Sequence, residues 1–192
     1  MKAAHLFLIL SIALFASCGG GQPRETAKAP LPENLDARQR IRTMEDSLSA
    51  KAVFDRRRVM ELRDVYLAYV QRFPLDSLSP DMLRKAASTT GDLGEHEKAI
   101  NLWDRLIKDY PQWPRTPDAY YFRAFAIENG LGKKGEAKTA YEEFIAKYPD
   151  NQFADDAVKM IEYMKYTDEE LIELFRKKNA EQEGAASADG KP

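Results

Sequence analysis

One cysteine and two histidines are all the thiol and imidazole metal ligands that these 192 residues supply. Cys18 and His5 fall within the first eighteen residues, and His96 stands alone further on. A zinc site of the usual nitrogen and sulfur type needs several such groups together, so this chain does not build one. A Gly-x-Ser-x-Gly elbow is also missing, as is a phosphate-cradling loop. Gly130-Leu131-Gly132-Lys133-Lys134-Gly135 has the glycines of such a loop but no following Ser or Thr and no preceding strand, and reads as a turn between helices. No stretch of useful length alternates apolar and polar residues as a strand would. Neither sign of charge dominates: 29 Lys and Arg face 31 Asp and Glu, a net of −2. Composition therefore argues neither for nucleic acid nor for a polybasic membrane surface. With no catalytic constellation, the chain reads as a non-enzyme without cofactor or metal.

Long apolar runs are scarce too. The one at the start, Leu6 to Ala16, follows a single basic residue, Lys2, and leads into Ser17-Cys18-Gly19-Gly20-Gly21. It falls short of the roughly 20 residues a spanning helix needs. A basic start, a short apolar core and small residues before a cut site describe a secretory signal. Phe15-Ala16-Ser17-Cys18 resembles the lipobox of bacterial lipoproteins, with Phe15 where Leu is more usual. That resemblance implies cleavage before Cys18, diacylation of its thiol and attachment to a membrane. Two or more acyl chains anchor stably, at about 0.8 kcal/mol per buried CH₂. Without residues 1–17, 28 basic residues face 31 acidic ones. Residues 18–33 form a lipidated start and a Gly/Pro-rich tether, residues 34–179 one helical domain, and residues 180–192 a small, polar, disordered tail.

Within the domain the sequence repeats itself. Tyr66-Leu67-Ala68-Tyr69-Val70-Gln71-Arg72-Phe73-Pro74 aligns without gaps with Trp103 to Pro111 and with Tyr141 to Pro149. The prolines lie 37 and 38 residues apart. The second and third copies reach further back, to Ala99 and Ala137 and to Gly94 and Gly132. Each residue type has a physical task. Glycine accepts the positive φ of a turn between helices. A small alanine lets two helices approach, the aromatic closes the core of the pair, and proline stops the second helix. Apolar residues step by three and four, as in Ala137, Tyr141, Phe144 and Tyr148. This spacing predicts helices over 35–50, 56–73, 80–92, 95–110, 117–129, 133–148, 151–165 and 168–179. Thr167-Asp168-Glu169-Glu170 has the form of a capping segment.

A small residue, an aromatic four later and a proline twelve later resemble the second helix of the tetratricopeptide repeat; Ala99, Trp103 and Pro111 fit, as do Ala137, Tyr141 and Pro149. The first helix departs from the pattern. Its usual aromatic and small residue fall on Leu83 and Ala87 in one copy and on Tyr121 and Phe125 in the next, so each copy keeps one of the two. The period also exceeds the standard 34 residues. The resemblance covers roughly residues 59–165 and implies an all-α solenoid of about three tetratricopeptide-like helix pairs with C-terminal capping helices. The phrase from Tyr141 to Ala157 is similar to repeats of two envelope families, the lipoprotein D of the β-barrel assembly machinery and the cell-division coordinator of the Tol-Pal system.

The remaining polar groups have plain readings. His96 stands in an exposed-looking turn; Asp155-Asp156 and Asp168-Glu169-Glu170 suit helix starts; Arg56-Arg57-Arg58 suits a solvated face near the tether. Tyr120, Tyr121, Phe122 and Phe125 cannot all face one core. Tyr121 and Phe125, four apart, suit the core. Tyr120 and Phe122 are candidates for a concave peptide-binding groove or, alternatively, for packing against a neighbouring unit. The expectation is a lipid-anchored protein-binding scaffold at the periplasmic face of the bacterial outer membrane, with envelope protein partners, no nucleic acid and no cofactor. It would serve envelope assembly or, alternatively, coordinate cell-wall synthesis or division with the envelope; nutrient capture is the weakest reading, because the long ligand domain of such lipoproteins is absent.

Overall fold

The computed structural model describes residues 33–50 and 54–189. Cys18, the expected signal segment and residues 19–32 of the expected tether lie outside the described residues, and Glu33, the last tether residue expected, begins a helix. What is described is helical throughout: α1 (Glu33–Ser49), α2 (Arg56–Arg72), α3 (Ser79–Asp92), α4 (His96–Asp109), α5 (Thr116–Phe125), a π-helical segment (Ala126–Gly130), α6 (Lys134–Lys147), α7 (Ala154–Tyr163) and α8 (Asp168–Asp189). The all-α, helix-pair architecture expected from the repeat is the one found.

Local chemistry sets the helix ends. Asp55 accepts a hydrogen bond from the Arg58 N–H (3.2 Å) and caps α2. Pro80 and Pro117 sit in the first turns of α3 and α5, where a missing N–H costs nothing. Gly94 and Gly132 turn the chain between the helices of a pair at φ 80° and 66°, the left-handed region where glycine carries no Cβ penalty. At α8 the Thr167 N–H donates to Glu170 (2.8 Å) while the Glu170 N–H donates to the Thr167 hydroxyl (3.3 Å), a reciprocal capping box.

Between pairs the chain makes the same connection three times. After Phe73, Tyr110 and Tyr148 come two successive turns: Asp76 N–H to Phe73 O and Ser79 N–H to Asp76 O, then Trp113 to Tyr110 and Thr116 to Trp113, then Asn151 to Tyr148 and Ala154 to Asn151, all 2.9–3.1 Å. In the first two copies a buried hydroxyl tightens the turn, Ser79 donating to Phe73 O (2.5 Å) and Thr116 to Tyr110 O (2.6 Å). The third copy has Ala154 there.

Two apolar clusters form the core. One joins α1 to α5 around Ile41, Tyr66, Leu83, Trp103 and Leu106; the other joins α5 to α7 around Tyr121, Tyr141, Phe144 and Ala157. Phe122 packs against both. Ala99 and Ala137 are wholly buried at the helix crossings. A polar clamp fixes α1: Arg38 donates to Tyr69 (2.8 Å) and to Asp76 (2.5 Å), Asn34 donates to Asp76 (3.0 Å), and Glu33 pairs with Arg72.

Three sequence expectations need correction. Helix 117–129 is not one α-helix, because its last turn is the π segment. The helix expected to start at 151 begins at Ala154, since 151–153 complete the third turn. And α8 does not stop at 179 but runs to Asp189, so residues 180–189 of the expected disordered tail are helical. Ala180, Glu181, Gln182, Glu183, Ala185 and Ala186 are good helix formers, which outweighs the single Gly184.

Candidate functional site

The pocket at the junction of the helix pairs is built from small residues on one wall and large ones on the other. Ala87, Ser88 and Gly91 of α3 leave space beside α4, where Ala99 adds nothing beyond its methyl. Facing them, Phe122 and Phe125 of α5 and Asn129 and Gly130 of the π segment form the opposite wall, and the Trp103 indole closes the floor. The cavity is about 220 Å³. That is below the roughly 300–1,000 Å³ of sites for drug-sized ligands and is the scale of one large side chain.

Aromatic stacking makes the floor rigid. Trp103 and Phe122 lie with ring centroids 5.5 Å apart and nearly parallel, at 21°. Phe122 is braced in turn by the edge of Phe153 at 5.2 Å. Tyr121, on the other side of α5, stacks on Phe153 at 4.7 Å and belongs to the second core cluster. The π segment widens the helix at the rim. π-bulges are rare and occur often at functional sites.

The candidate groove residues part company here. Phe122 is half-buried and lines the pocket, while Tyr120 points to α6, where its hydroxyl accepts from Lys147 (2.9 Å) and its ring lies 5.2 Å from Tyr148. Phe125 corrects a sequence expectation. It is not core but 41% exposed, at the pocket wall. The buried stripe of α5 instead runs through Tyr121, Ala124 and Ile127. A spacing of four from Tyr121 could not show that Ala124, three on, takes the buried position instead. His96 is also displaced from its expected place in an exposed turn: it is half-buried, and its ring forms part of the pocket wall. Of the repeat residues, Tyr66, Ala99, Trp103, Ala137 and Tyr141 are buried in the two clusters or at the crossings. Pro74, Pro111 and Pro149 each follow a helix end by two residues.

A second depression, about 660 Å³, lies between α1 and α3 and is polar, with Arg38, Arg42, Glu45, Asp81 and Lys85 in its wall. Glu45 accepts from Lys85 and from the Tyr66 hydroxyl, both at 2.7 Å. Burial pushes the Glu45 carboxyl up, but these two donors outweigh it and hold it below its ordinary value. Burial, and then the same pairing with Glu45, push the Tyr66 phenol far up. Along α3, Asp81 and Lys85 of this depression and Ser88 and Asp92 of the aromatic pocket step by four, three and four, so one helical face serves both.

Among the described residues no group of three or more His, Cys, Asp and Glu is placed to hold a metal, and no helix is long and apolar enough to cross a membrane. The arrangement leaves room for about one large side chain against an apolar floor.

Comparison with known proteins bears on the same helices. The tetratricopeptide repeat family matches twice, over residues 82–112 and 118–151. No curated protein matches the chain. The two matched spans correspond to α3–α4 and α5–α6, and the aromatic pocket lies where they meet. Residues 82–112 and 118–151 thus match two consecutive tetratricopeptide repeats at the centre of an all-helical solenoid.

Proposed function

We propose that this protein is a lipid-anchored scaffold that binds other proteins at the periplasmic face of the bacterial outer membrane, in envelope assembly, and that it is not an enzyme. Repeats of this kind generally mediate protein–protein interaction, and stacked helix pairs present extended surfaces for it. The observation that carries the reading is the open aromatic pocket between the two matched repeats, which takes part of its lining from the same face of α3 as the polar depression beside α1. Anchoring rests on the lipobox-like Phe15-Ala16-Ser17-Cys18. An anchor would add local concentration near an envelope partner without any new contact. The similarity of residues 141–157 to repeats of two envelope families supports a second reading, coordination of cell-wall synthesis or division with the envelope.

A photo-crosslinking residue placed at position 125, on the pocket wall, tests the binding role in cells, with one at exposed position 142 of α6 as control. Adducts seen from 125 and not from 142 support a partner in the groove. If they contain barrel-assembly subunits or unfolded outer-membrane proteins, assembly stands; cell-wall synthases or Tol-Pal components would favour the second reading. Equal, unselective adducts from both positions would refute pocket binding. Cys18→Ser should release the protein from membranes, and unchanged membrane association would defeat the anchor.

A further inference from the structure

We propose that the pocket between α3, α4 and α5 receives a basic side chain, Lys or Arg, of the bound polypeptide. This rests on the peptide-binding reading above and specifies its chemistry. Five cavities of the described domain differ in charge. Four have Lys or Arg in their walls: Arg63 and Lys98, Arg72, Arg105, and the set with Arg38 and Lys85. The aromatic pocket has none, and its acid is Asp92.

A long basic side chain has two parts, an apolar stem and a donor-rich head, and the pocket offers a place for each. Trp103, Phe122 and Phe125 give the stem apolar surface and the head an aromatic face, which attracts a cation through the ring quadrupole. At the rim stand three exposed groups with acceptor oxygens, Ser88, Asp92 and Asn129. Asp92 makes no ion pair among the described residues, so its carboxylate is available. The Asn129 amide nitrogen donates weakly to Phe125 O (3.4 Å), which leaves its oxygen to accept. Helix ends add to the field. α3 ends at Asp92 and the π segment at Gly130, two partly negative C-termini, against one partly positive N-terminus, that of α4 at His96. A neutral apolar side chain would cover the same floor but leave all three rim acceptors unused.

The chain has two tryptophans, Trp103 in the floor and Trp113 in the connection after α4, so selective ¹⁵N labelling of tryptophan gives one reporter and one internal control. The full-length protein is titrated with capped pentapeptides Gly-Ser-X-Ser-Gly in which X is Lys, Arg, norleucine or Phe. The expected result is a saturable shift of the Trp103 indole signal by the Lys and Arg peptides, with Trp113 still. Binding should exceed that of the norleucine peptide about two- to fivefold, the scale of a partly exposed ion pair, and weaken with salt. Asp92→Asn, at an exposed helix end, should bring the Lys peptide down to the norleucine level. Norleucine or Phe binding as well as Lys, or Asp92→Asn without effect, would overturn the basic-ligand inference and leave an apolar anchor in the groove. No shift of Trp103 with any peptide would overturn it too; the groove itself is judged separately, by crosslinking from position 125.

Discussion

Replacing Gly130 by alanine tests how tightly the pocket's rim is built. A Cβ on Gly130 would lie 2.3 Å from His96 Cγ and 2.6 Å from both His96 Cβ and Nδ1. Turning the imidazole moves the ring but leaves His96 Cβ where it is, because that atom is fixed by the backbone of α4. Either the start of α4 or the π segment must shift. Overpacking of this kind costs about 1–3 kcal/mol. Loss of chain entropy from the unfolded state returns about 0.4–1 kcal/mol. Gly130 does not have positive φ, so no backbone strain is added. The net cost is roughly 0–2.6 kcal/mol, which for a domain of this size lowers Tm by up to roughly 10 °C. Gly135→Ala is the control: nothing lies within 4 Å of its added methyl, and it sits at the second position of α6. It should raise stability, by up to about 1 kcal/mol. Thermal unfolding followed by circular dichroism reads both. Combining Gly130→Ala with His96→Gly, which removes the opposing atoms, should cancel most of the loss. A higher Tm for Gly130→Ala, or an equal loss with and without His96, would refute the close approach.

Other perturbations probe the repeat and the clamp. Ala99→Leu and Ala137→Leu, each at a wholly buried crossing, should each cost about 1–3 kcal/mol; an unchanged melting temperature for both would mean the helices cross elsewhere. Asp76 is nearly buried beneath Arg38. Burial pushes its carboxyl up, but the Leu78 N–H, Arg38 and Asn34 outweigh this and hold it well below the usual 3.8. A carboxyl depressed on folding stabilises the fold above its ordinary value and loses that contribution as pH falls toward the depressed one. Asp76→Asn should therefore cost about 2 kcal/mol near neutrality and progressively less below about pH 4. A difference from the parent protein that stays constant from pH 7 to pH 2 would contradict the clamp.

Much of the helical frame was legible because its signals are local and periodic. Proline after an aromatic marks three helix ends, and Gly94 and Gly132 mark the turns within pairs. The capping box at Thr167 could be read from four residues. What escaped was contact between segments. Nothing near His96 reveals that its ring meets Gly130, thirty-four residues on, because the contact arises only when α4 and the π segment are packed. The clamp of Arg38 and Asn34 on Asp76 is invisible for the same reason. The connection between pairs was half legible: the aromatic–proline step showed in the alignment, while the second turn, closed by the Ser79 and Thr116 hydroxyls, did not. That seven-residue double turn is longer than a tight helix–helix link and accounts for a period above 34 residues.

The pocket itself comes from a departure from the repeat. Shifted by the 38 residues that separate Gly94 from Gly132, Phe125 on α5 stands where Ala87 stands on α3. Ala87 is wholly buried, at a position where the tetratricopeptide pattern wants a small residue. A phenyl ring is too large for such a crossing. It remains 41% exposed, and the helix leaves α geometry at the next residue. The displaced ring becomes one wall of the cavity, and small residues on α3 supply the space opposite. Phe125→Ala should then remove the wall and restore the small residue at once. If the misfit ring is what forces the π turn, the variant should be as stable as the parent or more so despite losing buried aromatic surface, while the lysine peptide should no longer shift Trp103. A destabilisation of the 3–5 kcal/mol usual for a truncated core phenylalanine would show instead that Phe125 belongs to the packed interior after all.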